Sequence, residues 1–264
     1  MKTAIIIPAR YASTRLPGKP LKKIAGREML ARVIDIAKSV KNADDVFVAV
    51  DDDRIFEAVK NFGATPVMTD PECPNGTTRC LAAVQALPQD QQPDLIMNLQ
   101  GDAPLTPPDV IETLIQAMLD NPSWPIGTPA VELTFKDRAD LIKSKEQTPH
   151  SGTCVVFDPE HKALYFSKSV IPAIRKIGAD GDMSNTFRHV GLYAYRREAL
   201  EKYVSLPESK LENLEKLEQL RALENGMPIH IVPVDYKGRQ HIGVDSPEDI
   251  DIAEAIIKKF GELL

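Results

Sequence analysis

The chain has 264 residues, 43% of them hydrophobic and 27% charged, and a formal net charge of -6 at pH 7. That composition excludes a disordered chain and lets an α/β domain bury a full core without help from metals or disulfides. The acidic balance argues against nucleic acid as a general partner but leaves room for a local basic pocket.

The opening MKTAIIIPAR has an apolar run cut short by Pro8 and Arg10, so neither a signal peptide nor membrane insertion is expected. Cys73, Cys80 and Cys154 form no disulfide framework and no zinc-ligand spacing, and no His or acidic partner neighbours them as in a nucleophile constellation. A reducing, cytoplasmic setting fits this usage. Thr3–Ile7 reads as the first strand, and a helix near Met29–Ser39 precedes a strand at Val46–Val50. A helix at Arg54–Phe62 leads to Thr65–Met68, and one at Arg79–Leu87 leads to Leu95–Leu99. Pro107–Asp120 starts with prolines suited to a first helical turn and continues at helical spacing. Alternating strands and helices of this kind predict an α/β, doubly wound sheet.

Between 125 and 195 the pattern loosens, with strands expected at Gly152–Phe157, Ala163–Phe166 and Phe187–Tyr195 joined by longer loops. This stretch reads as a dimer arm or as strands crossing the sheet, and Trp124 as part of a surface turn or interface. Leu211–Asn225 reads as one helix with Leu211, Leu214, Leu217 and Leu220 on a stripe and Gly226 as its left-handed cap. Ile229–Val232 is a late strand edged by Pro233, and a helix is expected from Ser246 to near Leu264, with Asp249 completing a capping-box-like start. No internal repeat or linker divides residues 1–264.

The segment Pro8-Ala-Arg-Tyr-Ala-Ser-Thr-Arg-Leu-Pro-Gly-Lys-Pro20 gathers Arg10, Arg15 and Lys19 with the hydroxyls of Ser13 and Thr14, directly after a strand. Loops at the carboxyl end of an α/β sheet bind ligands, and amides with three cations suit a nucleoside triphosphate. The plain alternative is a solvated basic turn. GxxxxGK[ST] and GxGxxG are both absent, which sets aside P-loop kinases and Rossmann dehydrogenases. Asp102 follows the Leu95–Leu99 strand through a Gln-Gly turn, and Asp245 follows Ile242-Gly-Val ahead of a helix start. Two such carboxylates suffice for Mg²⁺ on a triphosphate, whose other ligands are phosphate oxygens and water. For Asp245 alone, a capping role is the competing explanation.

IPARYASTRLPGKPL resembles the opening of the CMP-Kdo synthetase (3-deoxy-manno-octulosonate cytidylyltransferase) family. The likeness continues, in family order, through NGTTR (75–79), NLQGDAPL (98–105), ALYFSKSVIP (163–172), RHVGLYAY (188–195), LEKLEQLRALENG (214–226) and GVDSPEDI (243–250). The resemblance implies a nucleotide-diphospho-sugar transferase (Rossmann-like) fold with a mixed, mostly parallel sheet, and a homodimer formed through the 125–195 region. It implies that CTP and a sugar acid react with Mg²⁺ as cofactor, giving a CMP-sugar and pyrophosphate for bacterial cell-surface polysaccharide such as lipopolysaccharide or capsule. Arg10, Lys19, Asp102 and Asp245 would then be catalytic, with Asp102 and Asp245 holding the metal. Arg10, Ser13, Thr14, Lys19, Asn75, Gly76, Thr77, Arg79 and Gln100 would bind the nucleotide. Arg15 would serve the phosphates and the sugar end, and His189, Tyr193, Glu215 and Gln219 the sugar. Glu215 and Gln219, four apart, would share one helical face. On local sequence alone, Asn75-Gly76 is equally a plain turn, and His189 and Tyr193 equally core residues.

Three positions depart from the family pattern: Thr78 where an acidic residue is usual, Ala103 where Glu is common, and Cys154 where the strand often carries Lys. With the nucleotide and metal elements retained, these point to an altered acceptor. The alternatives are a cytidylyltransferase for a nonulosonic or amino-Kdo acid, an enzyme for a neutral sugar 1-phosphate, and a catalytically silent nucleotide-binding protein of the same fold.

Overall fold

The computed structural model describes residues 1–13, 15–239 and 241–264. β1 (Thr3–Ala9) has every residue buried, as a parallel strand covered on both faces must. After it come a short hairpin of β2 (Lys23–Ile24) and β3 (Arg27–Glu28), then β4 (Asp45–Val50), β5 (Thr65–Met68) and β6 (Leu95–Asn98). β5, β4, β1 and β6 lie side by side, all parallel. The crossovers α1 (Met29–Ser39), α2 (Asp53–Asn61) and α4 (Pro108–Asp120) pack on one face, and α3 (Gly76–Ala86) on the other. The doubly wound half is therefore as expected, and its loops gather at the carboxyl end of the strands.

The second half extends the same sheet with β7 (Ile126–Thr134), β8 (Cys154–Phe157), β9 (Ala163–Ser167), β10 (Met183–His189), β11 (Tyr193–Arg196) and β12 (Ile229–Pro233). The order is β5-β4-β1-β6-β11-β7-β10-β8-β9, with β12 parallel on β7. Only β9, β10 and β11 run against the other seven of the ten strands. A bridge between Lys162 and His230 brings the start of β9 toward β12, so this end of the sheet curls on itself. Trp124 is half-buried and stacks on His230 at 4.3 Å. Among the described residues no helix is long and apolar enough to cross a membrane.

Three expectations need correcting. The expected strand Phe187–Tyr195 is two strands, because at 190–192 the chain breaks register: Val190 N–H donates to Pro129 O and Leu192 N–H to Val190 O. β7 itself escapes the alternation rule, since Gly127 and Pro129 interrupt its pattern although the strand is continuous. The expected helix Leu211–Asn225 is α7 (Lys210–Glu215) and α8 (Leu220–Glu224), separated where Lys216 adopts a left-handed φ of 53°. α5 (Phe135–Ser144) and α6 (Arg197–Ser205) precede them in the chain, and α9 (Pro247–Phe260) closes the fold at Gly261. The break has a cause in side-chain partners. Glu212 takes both Arg221 Nε and Nη2, at 2.8 and 2.6 Å, while Glu215 turns away to accept from Ser167 Oγ and the Lys168 N–H, each at 2.7 Å. Leu217 and Leu220 are buried but Leu214 is 71% exposed, and Glu215 and Gln219 do not share a helical face.

Candidate active site

A cleft of ≈ 300 Å³ opens at the carboxyl ends of β1 and β6, lined by Pro8 to Arg10, Lys19, Pro20, Cys73 to Gly76, Arg79, Gln100 to Asp102, and Asp245. Each wall has a local reason. Gly101 makes the turn after β6 possible, because a Cβ there would stand 2.7 Å from the Pro8 carbonyl oxygen. That close approach places Asp102 beside the basic loop. Asp245 arrives from the far end of the chain: Val244 N–H donates to Asp102 O at 2.8 Å, and Asp249 accepts from the backbone of both Asp245 and Ser246 at the start of α9. The capping box anticipated at Ser246 is thus also the support of Asp245. Leu16, Leu105 and Val244 pack with α9 in one small apolar cluster, clamping the three loops together.

The central feature is electrostatic. Lys19 Nζ stands 2.7 Å from Asp102 Oδ2 and 2.9 Å from Asp245 Oδ1, and Arg15 reaches the other Asp245 oxygen at 3.1 Å from the exposed rim. Burial pushes the Lys19 ammonium down, but the two carboxylates outweigh it and hold its pKa above the ordinary value. Burial pushes Asp245 up, and Lys19 with Arg15 outweigh that as well, so its pKa sits low. Lysine and carboxylate both stay charged at neutral pH. Arg10 is exposed on the cleft wall. Ser13 Oγ accepts from the Leu16 N–H and shapes the loop, and Thr14 lies outside the described residues.

Opposite the basic loop stands the amino end of α3. Asn75 is its N-cap, the side chain accepting from Thr78 N–H at 2.8 Å, so Asn75-Gly76 is a helix start and not a free turn. Helix amino ends favour anions. Thr77 points away from the cleft and donates to Glu218 at 3.0 Å. Arg79 lines the cleft with part of its side chain, but its guanidinium is engaged behind it, with Asp51 at 3.2 Å and Thr69 at 2.8 Å. Asp51 in turn accepts from the Tyr11 N–H at 2.9 Å. Sequence reasoning missed Asp51 and Glu218, since neither stands in a spacing that signals a partner.

The expected sugar residues do not line this cleft. His189 and Tyr193 are buried beside it with ring centroids 5.5 Å apart, and His189 Nε2 pairs with Thr128 Oγ1 at 2.8 Å. Gln219 is 4% exposed, and its Nε2 has no acceptor among the described residues. Glu215 lines a separate open cleft with Arg138, Lys145 and Lys168. Of the departing positions, Thr78 donates its backbone N–H to the Asn75 cap of α3, and Ala103 is buried in the turn after Gln100. Cys154 is buried too, with Lys145 nearby donating to the Gly152 and Lys168 carbonyls. Burial pushes the Cys80 and Cys154 thiols above their ordinary range, which suits structural roles.

Burial, with His241 and Lys168 in reach, drives the His189 imidazole from 6.5 down to about 3. The fold keeps it neutral where the unfolded chain protonates it. The stability this contributes is complete above the unfolded value and is lost as pH falls toward the folded one. By about pH 4, on the order of 3 kcal/mol is gone. His189→Gln is expected to flatten this acid limb, measured as denaturation midpoint against pH. An unchanged slope would acquit His189.

The whole chain has known counterparts. A family model described as cytidylyltransferase matches residues 4–229. The 3-deoxy-manno-octulosonate cytidylyltransferase of Maricaulis maris is 48% identical over 264 residues, covering 100% of both chains. The 8-amino-3,8-dideoxy-manno-octulosonate cytidylyltransferase of Shewanella woodyi is 42% identical, over 97% of this chain and 98% of that one. A solved structure of CMP:2-keto-3-deoxy-manno-octonic acid synthetase complexed with CTP superposes with a TM-score of 0.84 at 37% identity, over 98% of this chain and 99% of the other.

Proposed function

The chain belongs to the cytidylyltransferase family, and from that premise we propose that it activates a 3-deoxy-2-ulosonic acid of the Kdo type with CTP, releasing pyrophosphate. The observation that carries this is the cleft in which Lys19, Asp102 and Asp245 meet opposite the amino end of α3. The anomeric hydroxyl of the acid attacks the α-phosphorus, an O–P bond forms, the bond to the bridging oxygen of pyrophosphate breaks, and the hydroxyl proton leaves with the pyrophosphate. Phosphoryl transfer asks a protein chiefly to position groups and stabilise charge. Arg10 and Lys19 supply positive charge along the phosphates, and Arg15 extends it to the rim where an acidic acceptor enters. Asn75, Gly76 and Gln100 form the wall for the base. No covalent nucleophile is required.

The residues present fit Mg²⁺. Two carboxylate oxygens already converge on one cationic nitrogen at 2.7 and 2.9 Å. Among the described residues no cluster of three or more metal-ligating side chains forms, so phosphate oxygens and water would complete the set held by Asp102 and Asp245. When bound, such an ion supplies electrophilic stabilisation of the phosphoryl oxygens. A homodimer through 125–195 is supported by the exposed apolar side chains Leu164, Ile177 and Met183.

Pyrophosphate release should be measured with Mg²⁺ and each of four NTPs against Kdo, 8-amino-Kdo, sialic acid and a hexose 1-phosphate. Release is expected with CTP and a Kdo-type acid only. Turnover of 8-amino-Kdo in preference to Kdo would make Thr78, Ala103 and Cys154 the candidates for acceptor choice. Nucleotide binding with no release across the panel would sink the enzymatic assignment.

A further inference from the structure

Gln100 lines the cleft on the wall proposed above for the base, half-buried, and its carboxamide is not free to turn. Its Nε2 donates to Asn98 Oδ1 at 3.0 Å. Asn98 is the last residue of β6 and fully buried, fixed between β1 and β11, where it lies opposite Ile6 and Tyr193. The Gln100 backbone is held as well, since its carbonyl accepts from the Ala103 N–H at 3.1 Å. Among the described residues, the end left without a hydrogen-bond partner is Oε1. It lies over Gly76, close enough that a Cβ there would stand 2.9 Å from it, against 3.4 Å from Nε2. Gly76 opens α3, and the positive amino end of a helix favours the oxygen end of a carboxamide over its amide end.

A carboxamide that rotates freely serves cytosine and uracil equally, because half a turn exchanges its acceptor for its donors. Cytosine offers an amino group at C4, whereas uracil offers an oxygen there. An oxygen held toward the base therefore receives cytosine and opposes uracil. We infer that Asn98 is a positioning residue for base choice: by holding the amide end of Gln100, it keeps Oε1 facing the nucleotide and so selects CTP over UTP. A second structural fact is consistent with a site tuned for this one bond. Asn98 Nδ2 has no acceptor among the described residues, although a buried donor left unpaired is costly. Its oxygen, not its amide, is the end in use.

The inference rests on the proposed use of CTP at this cleft, and one experiment separates the two. kcat/KM is measured with CTP and with UTP, at saturating acceptor and Mg²⁺, for the parent chain, Asn98→Leu, Asn98→Asp and Gly76→Ala. The parent is expected to prefer CTP by about 100-fold or more, the scale of a directional base contact. Asn98→Leu is close in volume and removes the acceptor; it should cut that ratio by about tenfold, mainly through CTP. Asn98→Asp can only accept, so it should restore the ratio even if turnover falls. Gly76→Ala leaves the strand untouched and displaces Gln100 from the helix side, and it should lower the ratio independently of how the Asn98 variants fold. A merely structural role for Asn98 would slow both nucleotides alike. A parent with no CTP preference overturns the proposed function and the inference with it. A parent with the preference, whose ratio survives Asn98→Leu and Gly76→Ala, overturns the inference alone.

Discussion

Asp102→Ala is expected to lower kcat by about 10³-fold or more, with little change in thermal stability. A thousandfold loss is about 4 kcal/mol of transition-state stabilisation, a reasonable share for one of the two carboxylates proposed to act on the α-phosphate. The stability half of the expectation comes from geometry. Asp102 is partly open to solvent, and Lys19 keeps Asp245 as a partner at 2.9 Å after the substitution, so no buried charge is stranded. Asp102→Asn should behave the same way, since the amide keeps the shape and loses the charge. Steady-state pyrophosphate release at saturating CTP and Mg²⁺, with a melting curve of the same preparation, checks both halves. A variant that retained a tenth of parental turnover would remove Asp102 from the catalytic set.

Arg79→Met is expected to do the reverse, costing stability first. Arg79 and Asp51 form a buried ion pair, their side chains 3% and 7% exposed at 3.2 Å. Removing one partner of such a pair costs about 3–5 kcal/mol because the other charge remains buried without compensation. For a chain of this size each kcal/mol moves Tm by roughly 2–4 °C, so the melting temperature should fall by roughly 6–20 °C. The damage should also reach the nucleotide. Asp51 holds the Tyr11 N–H, and Arg79 holds Thr69 and the 70–71 carbonyls, so the pair ties the basic loop proposed to hold the phosphates to the strand beside it. KM for CTP should therefore rise in whatever fraction remains folded. Adding Asp51→Asn removes the stranded charge and should recover part of the lost stability. Loss of less than about 1 kcal/mol, the scale of an exposed pair, would show that solvent reaches Asp51.

Most of the first half was legible because its physics is local. Strands buried on both faces are continuous apolar runs, and Thr3–Ala9, Asp45–Val50 and Leu95–Asn98 lie close to where hydropathy puts them. The meeting of Lys19 with Asp102 and Asp245 was legible only as a conjunction of strand ends, since 226 residues separate the outer pair and no spacing encodes their contact. Ordered motif resemblance carried what periodicity could not. The helical stripe of Leu211 to Leu220 misled because the pattern is helical throughout, while at the break by Lys216 Glu215 turns out to Ser167 and the Lys168 N–H and Glu212 folds back to Arg221. β7 was hidden by its own Gly127 and Pro129, which a strand tolerates here because neighbours on both sides keep it paired. Arg79 was assigned to the nucleotide from its motif, yet its guanidinium faces Asp51, a residue whose sequence context, a run of three aspartates after a strand, gives no hint of burial.

The position of Asp245 also bears on how the molecule comes into being. It stands beside Asp102 through the Val244 N–H, and its backbone rests on Asp249 at the head of α9, which is clamped in turn by Leu16 and by the Arg32 pairing with Glu262. A ribosome adding about 5–20 residues each second delivers every strand of the sheet before it delivers this helix. During that interval the nascent chain owns a nearly finished core and a basic loop with a single carboxylate facing it. Asp245 therefore joins the cleft only after the sheet has been made, and a polypeptide that stops short of it carries the scaffold and the basic loop with Asp102 alone.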